Sequence, residues 1–267
     1  MRLKIIACEV MYREVCLCVA ESKNIIDVTF ITQGLHDLKQ EGMSMKLQKE
    51  IDSVDEDKYE AILLGYGLCN NGIVGIKANK VKIVVPRAHD CITLFLGSKE
   101  RYDEYFANNP GTYFETTGWI ERDHINLENV SESVNRQLGL MSYEEYVRRY
   151  GEENAKYLIE TLGDWTRNYR KYAYIDMDKR FPKYEEEIRA KAKEKGWEYE
   201  NLKGDVRLLR KLIDGQWDEE DFIVVMPGQK IFATHDETII AACQAKSPQA
   251  EASGDFAQTP TSMQKLS

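Results

Sequence analysis

Four short runs of apolar, β-branched residues, spaced so that helix-length stretches fall between them, constrain this chain more than any other feature. They are RLKIIAC ending at Cys8, NIIDVTFIT from Asn24 to Thr32, YEAILLGYG beginning at Tyr59, and KVKIVVP from Lys80 to Pro86. Runs of this length and composition read as strands. Between the first two, EVMYREVCLCVAES carries apolar residues at helical spacing, and Leu35 to Val54 reads as a polar amphipathic helix. Strands that alternate with helices are joined by crossovers, which makes the sheet parallel and the connections right-handed. The expected fold class is therefore α/β, a Rossmann-like, mostly parallel sheet flanked by helices, with a helical insertion in the middle.

The rest of the chain extends this pattern. Cys91 to Leu96 opens a helix, Glu100 to Asn108 is helical, and GTYFETTGW from Gly111 to Trp119 is a strand or a loop. Ser142 to Leu162 is a charged helical stretch. KYAYID (Lys171 to Asp176) resumes the strand pattern, Pro182 opens a helix to Lys195, Asp205 to Ile213 forms another, and DFIVVMPG (Asp221 to Gly228) closes the sheet. A chain of 267 residues, 43% hydrophobic, can bury one substantial core. The expectation is a single α/β domain over residues 1–232, holding an insertion at about 120–170. A Ser-, Gln-, Ala- and Thr-rich tail, residues 246–267, is expected to be disordered.

Charge and cysteine usage narrow the partners. The net charge is −9 and the basic residues are interspersed with acidic ones, so a nucleic-acid footprint is not expected. The opening MRLKIIACEV is too short an apolar run for a membrane span and lacks a signal-peptide cleavage pattern, which points to a cytoplasmic protein without a membrane partner. Six cysteines in a reducing compartment are core residues, metal ligands or nucleophiles rather than disulfides.

The positions of the cysteines carry the chemistry. If the strands are as read, Cys8 follows the first, Cys69 the third, and His89 with Cys91 the fourth. Ends of parallel strands share one edge, and open α/β sheets bind ligands there, near the point where strand order reverses. Three thiols and an imidazole gathered at that edge suit zinc, and three thiols suit an iron–sulfur cluster that keeps one iron open. The competing reading is that buried cysteine is an ordinary small apolar residue, which fits Cys16 and Cys18 on the first helix and Cys243 near the tail.

Within His89-Asp90-Cys91, a cysteine at a helix start beside a histidine is also a candidate nucleophile, while Asp90 suits an N-cap. GYGLCNNG supplies Gly67 and Gly72, either as close-approach positions for a bound group or as a turn holding Cys69. Arg87 is placed to steady an anionic ligand, and Glu9 to serve as an acid–base or supporting carboxylate or as helix first-turn charge. Glu115, Thr116, Thr117 and Trp119 read either as one wall of the pocket or as a plain strand and turn.

Taken together, YGLCNNG, VPRAHDCITLFLGSKERY and PGTYFETTGW resemble the domain-of-unknown-function 1638 family, over a span from Cys8 to about Phe232. The family pattern of a cysteine after the first strand, a YGLC turn and an HDC turn falls on Cys8, Cys69, His89 and Cys91. Here Asn70-Asn71 stand where that pattern has a glycine sooner. The resemblance implies corrinoid-linked methyl transfer or one-carbon metabolism in anaerobes, with a corrinoid supplied by a partner protein. His-x-Cys is also similar to the ligands of zinc-dependent thiol methyltransferases, as chemical analogy only, since those enzymes are barrels.

The leading expectation is a metal-dependent enzyme with Cys8, Cys69 and Cys91 on zinc or an iron–sulfur cluster, His89 being a fourth ligand or an acid–base group, and a small-molecule substrate. The alternatives are a non-catalytic protein that binds metal or a corrinoid protein, and a metal-free cysteine hydrolase or transferase.

Overall fold

The computed structural model describes residues 1–32, 40–128, 147–148, 151–152, 169–234 and 236–244. Most of the expected insertion, and all of the expected tail, lie outside the described residues.

β1 (Arg2–Cys8), β2 (Ile25–Ile31), β3 (Ala61–Gly65) and β4 (Lys82–Pro86) run parallel in the order β2-β1-β3-β4. The sequence steps from β1 outward to β2, then returns to β1's other side with β3. The order therefore reverses between β1 and β3, opening a crevice at their carboxyl ends. β1, β3 and β4 are apolar on both faces because helices cover both sides, with Leu3, Ile5, Ile62, Leu64 and Val84 fully buried. A one-turn 3-10 helix (Glu9–Met11) leads into α1 (Tyr12–Glu21), so the expected first helix begins later than its apolar spacing implied. α2 is Gln40–Asp52. The mostly parallel, helix-flanked sheet expected from the sequence is what the chain forms.

A fifth strand, β8 (Phe222–Val225), pairs antiparallel with β4. Its direction follows from the connection before it. Trp217 lies at the amino end of β4, with Lys82 Nζ 4.9 Å from its ring centroid, while the Asp221 carbonyl accepts the Arg87 amide at 2.8 Å at the carboxyl end. The chain has thus already climbed the sheet and can only descend. A hairpin of β9 (Gln229–Ala233) and β10 (Ile240–Gln244) follows, extending ordered structure past residue 232. It is stitched to the loop after β3 through Gly75, Ile76 and Ala78.

α3 (Cys91–Leu96) and α4 (Lys99–Asn108) lead to a second parallel sheet that the sequence reading did not separate from the first. It comprises β5 (Thr112–Thr116), β6 (Lys171–Asp176) and β7 (Glu198–Lys203). α6 (Pro182–Lys195) covers one face, where Tyr172, Tyr174, Tyr184 and Ile188 form a small aromatic core. The other face, through Phe114, Ile175 and Leu202, packs on the main core. α7 (Arg207–Asp214) returns to the first sheet beneath α1.

α5 (Thr117–Glu128) joins the two sheets. It starts where β5 ends, with the Thr116 hydroxyl accepting the Trp119 amide at 3.2 Å, and lies on the 3-10 turn after β1. Gly118 is required there, because a β-carbon would collide with the Val10 carbonyl oxygen. Arg13 on α1 clamps Glu121 on α5 through both its Nε and its Nη2, and Tyr184 donates to the same carboxylate at 2.9 Å. Among the described residues, no helix is long and apolar enough to cross a membrane.

This junction buries an acid. Glu14 is 4% exposed, one of its carboxylate oxygens has no hydrogen-bond partner, and burial pushes its pKa from the ordinary 4.5 up to about 7. In the unfolded chain the same group ionises near 4.5, so between these values the folded state holds the extra proton. Stability therefore falls as pH rises through this window, and the whole cost is present above pH 7. Glu14→Gln is expected to be more stable than the parent by about 3 kcal/mol at pH 8, and no more stable near pH 4. Urea denaturation at the two pH values measures this.

Candidate functional site

The crevice at the β1/β3 reversal is built by three turns held against one another. After β3 the chain runs Tyr66-Gly67-Leu68-Cys69, and its amides pair with the turn after β4: Leu68 N–H donates to Ala88 at 2.7 Å and Cys69 N–H to His89 at 2.8 Å. Gly67 makes this contact possible, since a β-carbon would stand 2.7 Å from the Asp90 nitrogen. Cys69, Asn70 and Asn71 then adopt left-handed backbone, with φ of 48°, 55° and 66°. Three successive non-glycine residues in that region are a strained arrangement, and strain of this kind clusters at functional sites. Gly72 closes the turn, donating its amide to the Cys69 carbonyl at 3.0 Å and packing on Met43.

Asp90 fixes the third turn. It is the N-cap of α3: one carboxylate oxygen accepts the amides of Ile92 and Thr93 at 2.9 and 3.3 Å, and the other accepts the Tyr102 hydroxyl at 3.0 Å. Burial raises its pKa, against the pull of the Tyr102 hydrogen bond and the two amides. Cys91 is thereby presented at the first position of α3.

Cys8, Cys69 and Cys91 come together at this edge. All three are buried, at 1%, 9% and 6% exposure. An anion on any one is felt by another: Cys8 senses Cys91, Cys69 senses Cys8, and Cys91 senses Cys69. Burial drives all three thiols far above the ordinary range, so at neutral pH they are protonated. Opposing this, a nearby N–H pulls each thiol's pKa down: the Val10 amide at Cys8, the Gly67 amide at Cys69, and the Trp119 side chain at Cys91. N–H groups aimed at sulfur are what stabilise thiolates once they form. All six cysteines are free. Cys16 and Cys18 lie on α1, and Cys243 on β10.

The remaining candidates separate into those near the trio and those away from it. Glu9 follows Cys8, its charge reaches both Cys8 and Tyr66, and it faces Arg122 on α5 at 3.9 Å. His89 turns outward: its side chain is 43% exposed, its ring stacks on Tyr102 with centroids 5.5 Å apart, and Asp103 is 3.9 Å from Nε2. Arg87 is committed elsewhere, donating to the carbonyls of Glu219 at 2.9 Å and Thr238 at 2.8 Å, and so ties the carboxyl end of β4 to the β9–β10 region.

Tyr66 is a functional candidate that the sequence reading missed. Its side chain is 1% exposed, its hydroxyl has no hydrogen-bond partner, and burial, then the charges of Cys8, Cys69 and Glu9, raise its pKa strongly. The signal was a tyrosine set between two glycines at a strand end. Arg122 left no signal in the sequence, because only the docking of α5 brings it to the crevice.

As donors, three thiols suit a soft metal, and the orphaned Tyr66 hydroxyl leaves a place for a further polar group. As placed, no group of three or more His, Cys, Asp or Glu among the described residues is arranged to hold an ion. The donor set fits a metal, whereas the side-chain conformations do not enclose one. A separate cavity of about 350 Å³ lies by the carboxyl end of β6, lined by three carboxylates, of which Asp178 and Glu185 already hold Arg180 and Arg189 while Asp176 is the third.

Comparison with known proteins gives a match to one family model, described as "Protein of unknown function (DUF1638)", over residues 30–213. No curated protein and no solved structure matches.

An unpartnered buried hydroxyl costs stability, so Tyr66→Phe is expected to stabilise the ligand-free protein by about 1 kcal/mol in urea denaturation. A loss of stability larger than that would show the hydroxyl to be hydrogen-bonded.

Proposed function

From the premise that the chain belongs to the DUF1638 family, we propose that its crevice is a metal–thiolate active site in which Cys8, Cys69 and Cys91 hold zinc or an iron–sulfur cluster. The observation that supports this most is the thiol trio itself. Cysteines 61 and 22 positions apart in sequence come near enough at the carboxyl edge of the sheet for their charges to interact, and a nearby N–H favours the thiolate at each. A purely apolar role requires neither feature. Loading requires the three thiols to lose their protons and rotate toward a common point, and metal binding supplies the free energy for both.

The reaction proposed is corrinoid-linked methyl transfer or a related one-carbon step, with the corrinoid carried by a partner protein. The metal would supply soft Lewis-acid activation. Around it, Tyr66 offers a hydroxyl, Glu9 a carboxylate and Trp119 an N–H to Cys91. A site that depends on free thiols needs a reducing compartment, which is why we place the protein in the cytoplasm. A Cys91–His89 nucleophilic pair is less well supported, because the His89 ring stacks outward on Tyr102 and the thiol is pushed up by burial rather than down.

Elemental analysis with an absorption spectrum, on protein purified without oxygen, tests the proposal. The expected result is about one zinc, or iron with inorganic sulfide and brown colour, per chain, lost in Cys69→Ser with the fold intact by circular dichroism. Protein free of metal that also takes up no cobalt(II), as read by its thiolate charge-transfer band, overturns it.

A further inference from the structure

The second sheet carries a cavity of its own, of about 350 Å³, where the chain leaves β6 for α6. Carboxyl ends of parallel strands are where α/β units take ligands, and this volume is at the small end of ligand pockets, about 300–1,000 Å³. Tyr174 pairs with Asn201 in the β6–β7 register, and Asp176 is two residues on, so all three line the cavity from one face of the sheet. α6 covers that face, and its first residue, Pro182, lines the cavity at a helix start that no side chain caps. The charges around the cavity fall into two groups. Asp178 holds Arg180, and Glu185 holds Arg189 at 2.8 Å and accepts the Tyr199 hydroxyl at 3.0 Å. Asp176, partly buried, and Lys179, exposed, remain. Among the described residues neither of these side chains makes a hydrogen bond or an ion pair, with the other included.

We propose that this cavity binds a small zwitterion of the amino-acid class, its ammonium group on Asp176, its carboxylate on Lys179, and its body against Tyr174, Phe181 and Pro182. One unpaired charge of each sign faces the same space, so a simple cation meets Lys179 and a simple anion meets Asp176, whereas a molecule with both groups satisfies both. The positive end of the α6 dipole adds to the pull on the carboxylate. Tyr174 offers only its ring, because its hydroxyl is already bonded to Thr117 at 2.8 Å. Phe181 has the Arg13 guanidinium over its ring, 4.1 Å from the centroid, which directs the ligand's ammonium to Asp176 rather than to the aromatic face. The cavity shares no residue with the thiol crevice, and binding there needs no metal.

Calorimetric titration of the full chain at pH 7 and low salt tests it, with glycine, leucine, phenylalanine, glutamate and lysine as separate probes. At least one is expected to bind at about one per chain with a Kd of about 1 mM or tighter. Its methyl ester, which lacks the anion, and its N-acetyl form, which lacks the cation, are each expected to bind at least about tenfold more weakly. Asp176→Asn and Lys179→Gln are expected to weaken the free amino acid by a similar factor, and Lys179→Arg to keep part of the affinity. Since neither side chain has a partner among the described residues, both variants should melt as the parent does without ligand, which separates lost binding from lost fold.

Binding by none of the probes overturns the proposal. So does an ester or an N-acetyl form that binds as tightly as the free amino acid, which would make the cavity a site for a plain cation or a plain anion. An affinity unmoved by Asp176→Asn overturns it as well. A metal-free protein that binds a probe contradicts only the metal reading, and a metal-loaded protein that binds none contradicts only this one.

Discussion

Two backbone hydrogen bonds, from Leu68 and Cys69 to the carbonyls of Ala88 and His89, hold the turns after β3 and β4 together, and the site depends on them. They form because Gly67 lets the two turns approach closely enough, and they bring Cys69 and Cys91 near enough for their charges to interact. Cys8 is delivered independently, as the last residue of β1, the strand next to the order reversal. The sheet topology therefore gathers the thiols. The left-handed run Cys69-Asn70-Asn71 is the local strain that accompanies holding Cys69 there.

The second sheet completes the crevice. β5, β6 and β7 form a platform that fixes the start of α5, and α5 brings Trp119 to Cys91 and Arg122 to Glu9. Gly118 against Val10 and Arg13 against Glu121 set how closely that helix sits. Burial then determines the resting chemistry. With no bound cation, neutral thiols are the cheapest state for three sulfurs in an apolar enclosure, and the N–H donors around them favour the charged state once a cation arrives.

The parts of this architecture that could be read in the sequence were those with an unambiguous burial pattern. β1, β3 and β4 are apolar on both faces, and their runs stand out at almost their observed limits. β7, EYENLK, was not legible because it is a partly exposed edge strand whose polar residues do not alternate cleanly. The direction of β8 could not be read either, since it depends on the path of residues 215–221 rather than on the strand's own composition. The cysteine trio was legible because strand ends of a parallel sheet share an edge. Tyr66 is masked in the sequence by the glycines on either side, which account for the turn without it, and Arg122 because its role arises only when two sheets dock. Arg87 read as a ligand contact, yet the carbonyls of the returning chain occupy its donors.

The central claim is that Cys8, Cys69 and Cys91 can act on one atom. Arsenite tests it directly, because arsenic(III) bonded to three thiolates releases three waters and retains no oxygen. Native mass spectrometry of the reduced protein with stoichiometric arsenite is expected to show one such oxygen-free adduct per chain, absent when any one of the three cysteines is replaced by serine. An adduct that keeps a hydroxyl, or one that survives the loss of Cys8, Cys69 or Cys91, would contradict the account.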